Sequence, residues 1–141
     1  MSRVFWDTMM FVYLLEGHPE FSNRVEELLN RSRRRQDALL TSHLALGELM
    51  AGSERFNQPL KFSGVQKTLK DIGFSLLAFD EGAVKPFSVL RGREKLGTAD
   101  SIHLACAASA GIDLFLTGDK QLHKLIVPGI QFIADFTSPI L

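Results

Sequence analysis

Short apolar runs alternate with longer amphipathic stretches along the 141 residues of the chain. The runs are rich in β-branched and aromatic side chains, as in Val4-Phe5-Trp6, and this composition is typical of buried strands. The fourth run, Ile112 to Leu116, is interrupted only by Asp113, which indicates a strand that is covered on both faces. We predict strands at 4–6, 38–41, 74–79, 112–116 and 130–133.

The stretches between the strands carry apolar residues three and four positions apart, as helices do when one face is buried. In one of them Phe21, Val25, Leu28 and Leu29 share a face. We predict helices from Thr8 to a break at Gly17, from Pro19 to about Ser32, from a Ser42 cap to near Gly52, from Pro59 to about Asp71, from an Asp80 cap to about Leu96, and from a Thr98 cap to Ala110, with a helical turn at 120–125. This alternation predicts an α/β fold in which helices cover both faces of a mostly parallel sheet.

Composition places the chain among ordinary globular proteins. A length of 141 residues suits one domain, 1–141, and 45% hydrophobic with 23% charged residues is typical of a soluble protein. No apolar run approaches the ~20 residues that a membrane helix needs, and the first residues lack the pattern of a signal peptide. The single cysteine, Cys106, cannot form an internal disulfide. We therefore expect a cytoplasmic protein with no membrane partner.

Four acidic residues occupy the ends of predicted elements or an apolar helix face. Asp7 ends the first strand, Glu48 lies among leucines on the helix after the second strand, Asp100 begins a helix, and Asp119 follows the fourth strand. Each has an ordinary structural explanation when taken alone, such as a turn former or a partner for a helix dipole. However, helix starts and strand ends meet at one edge of an open α/β sheet, where such folds usually bind ligands.

Carboxylates gathered at one edge repel one another, and a hard cation relieves that repulsion. Oxygen ligands without a Cys or His pattern favour Mg²⁺ or Mn²⁺ over Zn²⁺. A cation of this kind can activate water and clamp a phosphodiester. The sequence therefore predicts metal-assisted phosphodiester hydrolysis.

The motifs around these acids resemble those of the PIN domain family, and within it the small VapC-type toxins of toxin–antitoxin pairs. The resemblance covers nearly the whole chain, and its most specific segments are Phe5-Trp6-Asp7-Thr8, Tyr13 to Gly17, Leu46-Gly47-Glu48-Leu49, Thr98 to Ala105, and Leu116 to Asp119. It implies a three-layer α/β/α sandwich and a Mg²⁺- or Mn²⁺-dependent endoribonuclease that cleaves structured RNA of the tRNA or rRNA class.

The resemblance also implies residue roles and partners. The metal-binding acids of the family map onto Asp7, Glu48, Asp100 and Asp119. Thr8 and Thr117 match hydroxyl positions beside the acids, where they could orient a carboxylate or a water molecule. The family further implies a homodimer, neutralised by a cognate antitoxin that binds across the site and alone contacts operator DNA.

Two groups of basic or titratable residues allow alternative interpretations. Sixteen basic residues balance sixteen acidic ones, but a metal that sequesters four carboxylates would leave a basic surface. Four arginines just past the second predicted helix either complement the dipole of that helix or bind RNA phosphates: Arg31, Arg33, Arg34 and Arg35. His103 shares a helix face with Asp100, and we favour a supporting role for it over a proton shuttle.

Two other classes of function compete with a nuclease. A PIN-fold binding module would act mainly as a complex with antitoxin and operator and hydrolyse little, but it would have no need for four mutually repelling acids. A phosphatase or receiver domain would form an acyl-phosphate at Asp7, although no second Asp follows two residues later.

Overall fold

The computed structural model describes residues 1–55, 61–139 and 141, without the side chain of residue 55. Its elements follow one another as strands and helix pairs, and a short 3₁₀ turn at Leu122–Lys124 precedes the last strand. The strands are β1 (Arg3–Trp6), β2 (Ala38–Ser42), β3 (Phe74–Leu77), β4 (Ile112–Thr117) and β5 (Ile130–Asp135). The helices are α1 (Thr8–Glu16), α2 (Ser22–Arg35), α3 (His43–Arg55), α4 (Phe62–Ile72), α5 (Glu81–Gly92) and α6 (Thr98–Ala110).

The five strands form one sheet in the order β3-β2-β1-β4-β5, and every pair is parallel. Strand β1 is central, because Val4 pairs with Leu39 on one side and with Leu114 on the other. All strands therefore end at the same edge of the sheet, called here the carboxyl edge, and begin at the opposite edge, the amino edge. The predicted parallel sheet is confirmed.

Each face of the sheet is covered by its own layer of helices. On one face Trp6 packs against Phe11 and Phe74, with ring centroids 5.3 and 4.8 Å away, beneath helices α1 to α4. On the other face Phe5 stacks on Phe115 at 4.8 Å beneath α5 and α6. Alternate residues of β1 thus face opposite cores, as the two-residue period of a strand requires. The expected three-layer α/β/α sandwich is confirmed.

Several predicted helix ends differ from the structure. Helix α2 begins at Ser22 instead of Pro19, because the His18 imidazole Nδ1 accepts the amides of Glu20 and Phe21 and holds them in a turn. Helix α3 continues through Gly52 to Arg55, whereas α5 stops at Gly92 and does not reach Leu96. Of the helix predicted at 59–71, residues 59 and 60 lie outside the described residues.

The three predicted caps have different outcomes. The Ser42 hydroxyl accepts the amide of Ala45 at 3.2 Å, as a helix cap does. Asp80 occupies the cap position of α5 without a side-chain hydrogen bond to the helix. The predicted Thr98 cap is wrong, since Gly97 takes that position and Thr98 is the first helical residue. In the described part of the chain no helix is long and apolar enough to cross a membrane.

Candidate active site

The four acids singled out by the sequence all line one open cleft of about 1240 Å³ at the carboxyl edge. Asp7 follows β1 directly and Asp119 lies two residues beyond β4. Asp100 is in the first turn of α6, and Glu48 lies on α3. Helices α1 and α4 supply much of the remaining wall, including Tyr13 and Val65.

Thr117 connects two of these acids. Its buried hydroxyl donates to Asp7 Oδ2 at 2.8 Å and accepts the amide of Asp119 at 3.1 Å. The other oxygen of Asp7, Oδ1, accepts the amide of Thr8 at 2.7 Å and so caps α1. Asp7 is therefore held by one backbone amide and one hydroxyl, and its direction is fixed by the ends of β1 and β4.

Glu48 is held by a second set of contacts. Its Oε1 accepts the Thr8 hydroxyl at 2.6 Å and lies 2.7 Å from Nε2 of His103. The hydrogen bond from His103 lowers the pKa of Glu48 below its usual value, partial burial opposes this shift, and the bond from Thr8 adds to it. His103 is only 2% exposed, and its Nδ1 lies 2.8 Å from the Ser42 hydroxyl.

Asp100 differs from the other acids, because no hydrogen-bond donor among the described residues contacts its carboxylate. Partial burial raises its pKa, and the negative charges of Asp7 and Asp119 raise it further. The carboxylate of Asp100 thus lies close to like charges without a hydrogen-bond donor of its own.

The donor set of this cleft fits a hard divalent cation by its chemistry. All four candidate ligands are carboxylates, which Mg²⁺ and Mn²⁺ prefer, and the carboxylate of Asp100 is repelled by its neighbours. Across residues 1–55, 61–139 and 141, no three carboxylate, imidazole or thiol groups are placed to hold one metal ion.

The arginine cluster does not lie at the cleft. The structure places all four arginines in the last turns of α2, not beyond its end, and α2 ends where β2 begins, at the amino edge. Arg31 pairs with Glu27 at 2.6 Å, Arg33 donates to the Ile72 carbonyl at 2.9 Å, and Arg35 pairs with Asp37 at 3.1 Å. These contacts support the interpretation as a helix end fixed by local partners, and they argue against RNA contacts that reach the cleft.

Sequence reasoning missed the part that Ser42 takes in the site. It identified Ser42 only as a helix cap, whereas the same hydroxyl also contacts His103. The two residues are 61 positions apart, and no spacing in the sequence links a cap on one helix to a histidine on another. The pairing arises because α6 packs beside the start of α3 at the end of β2.

The fold and the acidic cleft define a class of α/β proteins whose candidate chemistry lies at the carboxyl edge of a parallel sheet. The chain belongs to the PIN domain family, whose model matches residues 4–127. The resemblance inferred from the motifs is thereby confirmed. No curated protein sequence matches the chain.

Solved structures with the same fold include three toxin–antitoxin assemblies. A toxin–antitoxin complex from Klebsiella pneumoniae has a TM-score of 0.62 and 22% identity over 92% of this chain and 95% of that chain. DNA-bound VapBC from Salmonella typhimurium has a TM-score of 0.65 and 22% identity, with coverages of 96% and 99%. VapBC2 from Rickettsia felis, bound to a promoter DNA fragment, has a TM-score of 0.66 and 17% identity, with coverages of 94% and 97%. At these identities the likeness is one of fold.

Proposed function

We propose that this PIN-domain protein is a metal-dependent endoribonuclease that acts as a VapC-type toxin on structured RNA of the tRNA or rRNA class. The observation that carries the proposal is the single cleft lined by Asp7, Glu48, Asp100 and Asp119. Three of these acids are oriented by hydrogen bonds, and the fourth, Asp100, has no described hydrogen-bond donor and lies near the like charges of Asp7 and Asp119. A site built only to bind protein or DNA would gain nothing from this mutual repulsion.

Each residue of the cleft has a definite task in this proposal. Asp7, Glu48, Asp100 and Asp119 would hold Mg²⁺ or Mn²⁺, directly or through water. When bound, the cation would activate water and stabilise charge on the phosphodiester. Thr117 keeps Asp7 and the backbone of Asp119 in fixed relation, and Thr8 holds Glu48. His103 supports Glu48 from the buried side.

The similar structures support an antitoxin as one of the proposed partners. Those from Salmonella typhimurium and Rickettsia felis are VapBC assemblies bound to DNA. We infer that this chain forms a homodimer and is neutralised by a cognate antitoxin that binds across the cleft. Operator DNA is then contacted through the antitoxin only.

The test is a cleavage assay with purified protein free of antitoxin. Total RNA is incubated with protein and Mg²⁺, with protein and Mn²⁺, and with protein and EDTA, and the products are mapped by primer extension. The proposal predicts discrete cuts in tRNA or rRNA with either metal and none with EDTA.

Two outcomes of this assay would contradict the proposal. Cuts of equal intensity in EDTA would remove the metal from the reaction. An intact RNA pool with both metals, from protein that is folded and binds antitoxin, would favour the binding-module alternative.

A further inference from the structure

A chain of four side chains runs from buried Ser42 and His103 to Glu48, whose side chain is 37% exposed, and to Thr8. Ser42 and His103 are 1% and 2% exposed, so water does not complete their hydrogen bonding. The Ser42 hydroxyl lies 2.8 Å from Nδ1 of His103, and Nε2 lies 2.7 Å from Glu48 Oε1 and 3.2 Å from Thr8 Oγ1. A count of the available protons decides which group donates at each contact.

At Nε2 the imidazole must be the donor. The Thr8 hydroxyl has one proton, and its 2.6 Å bond directs that proton to Glu48 Oε1. An ionised carboxylate has no proton to give, so neither neighbour can donate to Nε2. A proton on Nε2 satisfies both contacts, with Glu48 Oε1 as the closer acceptor.

At Nδ1 the imidazole must be the acceptor. The Ser42 oxygen already accepts the amide of Ala45 at 3.2 Å. Within the described residues, Nδ1 of His103 is the remaining polar partner of that hydroxyl. If the ring proton were on Nδ1 instead of Nε2, the hydroxyl proton of Ser42 would be buried without an acceptor, which is costly.

We propose that Ser42 fixes the tautomer of His103, with Nδ1 as the acceptor and Nε2–H as the donor, so that His103 is a fixed donor that holds Glu48 by one oxygen. Ser42 and His103 are then positioning residues. Both ring nitrogens of His103 contact protein side chains, Nδ1 the hydroxyl of Ser42 and Nε2 the side chains of Glu48 and Thr8, so neither nitrogen is available to bind a substrate directly. Glu48 Oε1 is likewise occupied, which leaves Oε2 as its oxygen for a cation.

The tautomer itself does not depend on the proposed nuclease activity, whereas its consequence for metal binding rests on that proposal. The first experiment is therefore spectroscopic. Two-bond ¹H–¹⁵N correlation spectra of the ¹⁵N-labelled full chain, recorded over a range of pH, distinguish protonated from unprotonated ring nitrogens. For the neutral ring of His103 we expect a protonated Nε2 and an unprotonated Nδ1. A neutral ring with its proton on Nδ1, or one that exchanges between both tautomers, would overturn the proposal whether or not the protein cleaves RNA.

Variants of Ser42 test whether its hydroxyl fixes the tautomer of His103. Ser42→Ala removes the donor to Nδ1, and we expect the single-tautomer pattern of His103 to be lost, whereas Ser42→Thr keeps the hydroxyl and should keep the pattern. Loss of the cap on α3 also destabilises Ser42→Ala, so each variant is first checked by thermal unfolding. An unchanged His103 pattern in folded Ser42→Ala would overturn the proposal.

Variants of His103 test the consequence and stay informative if Ser42 variants fold poorly. Mn²⁺ affinity is measured by calorimetry without RNA. Removing a residue that orients a ligand typically weakens metal binding by about 10–100-fold, which we expect for His103→Leu. His103→Gln presents an amide N–H to Glu48 and should restore most of the affinity.

Two results would contradict the positioning role. Equal Mn²⁺ affinity in wild type, His103→Leu and His103→Gln would show that His103 does not orient Glu48. A His103→Gln protein that binds Mn²⁺ normally, yet loses kcat with KM unchanged, would assign proton transfer to His103. If wild type neither binds Mn²⁺ nor cleaves RNA, the proposed function fails while the spectroscopic result stands on its own.

Discussion

The acidic residues at the two edges of the sheet differ in whether they have hydrogen-bond or ion-pair partners. At the amino edge, Asp37 accepts the Ser2 amide at 2.9 Å and pairs with Arg35, and Asp113 accepts the Arg3 amide at 2.8 Å. At the carboxyl edge, Asp100 lies near the carboxylates of Asp7 and Asp119, and no described hydrogen-bond donor contacts it. Charges at the amino edge therefore fix the chain locally, whereas Asp100 at the carboxyl edge is kept in a costly arrangement that a bound cation would relieve.

Hydroxyl groups at the carboxyl edge hold the acids in place. Thr117 at the end of β4 joins Asp7 to the backbone of Asp119, and Thr8 at the start of α1 holds Glu48. These bonds orient acids without neutralising them. The presence of an acid alone therefore does not identify a site. Asp113 and Asp100 lie 13 positions apart in the same part of the chain, but Asp113 accepts a backbone amide whereas Asp100 has no described hydrogen-bond donor.

The largest effect among the supporting residues is expected for Thr117→Val. Valine has nearly the shape of threonine but cannot donate to Asp7 or accept from Asp119. Removing an orienting hydrogen bond of this kind should lower Mn²⁺ affinity and RNA cleavage by about 10–100-fold. Calorimetry and initial cleavage rates measure the two quantities.

Thr117→Ser is the matched control, because it keeps the hydroxyl and should remain close to wild type. If Thr117→Val folds and matches wild type in both measurements, the hydroxyl does not organise the carboxyl edge.

A smaller effect of a different kind is expected for Asp37→Ala at the amino edge. The substitution removes the acceptor of the Ser2 amide and the partner of the half-exposed Arg35 side chain. We expect the free energy of unfolding to fall by about 1 kcal/mol while cleavage per folded molecule stays unchanged. Urea unfolding measures the free energy of unfolding, and cleavage rates divided by the concentration of folded protein measure the activity per molecule. Asp37→Asn, which keeps an acceptor oxygen, should recover part of the stability. A large loss of cleavage in folded Asp37→Ala would contradict the distinction between a structural amino edge and a catalytic carboxyl edge.

The smallest effect is expected for the double substitution of Arg33 and Arg34 by Ala. Both arginines lie at the amino edge, so RNA bound at the cleft should not need them. We expect RNA affinity in EDTA, and its dependence on salt, to equal those of wild type. If these arginines bind phosphates of single-stranded RNA, the logarithmic salt slope should become shallower by about 0.7 for each phosphate that the variant no longer binds. That result would restore the cluster as an RNA-binding site.

Much of the fold could be predicted because the local pattern and the tertiary structure agree. The buried strand Val4 to Trp6 is apolar throughout, and the polar ends of its neighbours mark where each strand stops. The helix ends that were predicted wrongly depend on contacts that a local pattern does not contain. His18 holds residues 20 and 21 out of α2, and Gly52 is tolerated inside α3.

The candidate acids could be selected from the sequence because parallel strands bring their ends together. The supporting contacts could not, since Ser42, Glu48 and His103 meet only when α3 and α6 pack at the same edge. The arginine cluster left two interpretations open in the sequence. The end of α2 supplies carbonyl and carboxylate partners that a sequence does not reveal, and these contacts favour the interpretation as a helix end, while RNA binding by the cluster stays a prediction to be tested.

The most direct test of catalysis at the carboxyl edge compares Asp100→Asn with Asp113→Asn in the metal-dependent cleavage assay. Both substitutions exchange a carboxylate for an amide of the same shape, and in Asp113→Asn the new side chain would still offer an oxygen to the Arg3 amide. With Mg²⁺, we expect Asp100→Asn to lower cleavage by at least about 100-fold, as when a metal-ion contribution of several kcal/mol is removed, while its unfolding curve stays that of a folded protein. Asp113→Asn should cleave at the wild-type rate. Undiminished cleavage by folded Asp100→Asn, or an equal loss in both variants, would contradict the assignment of catalysis to the carboxyl edge.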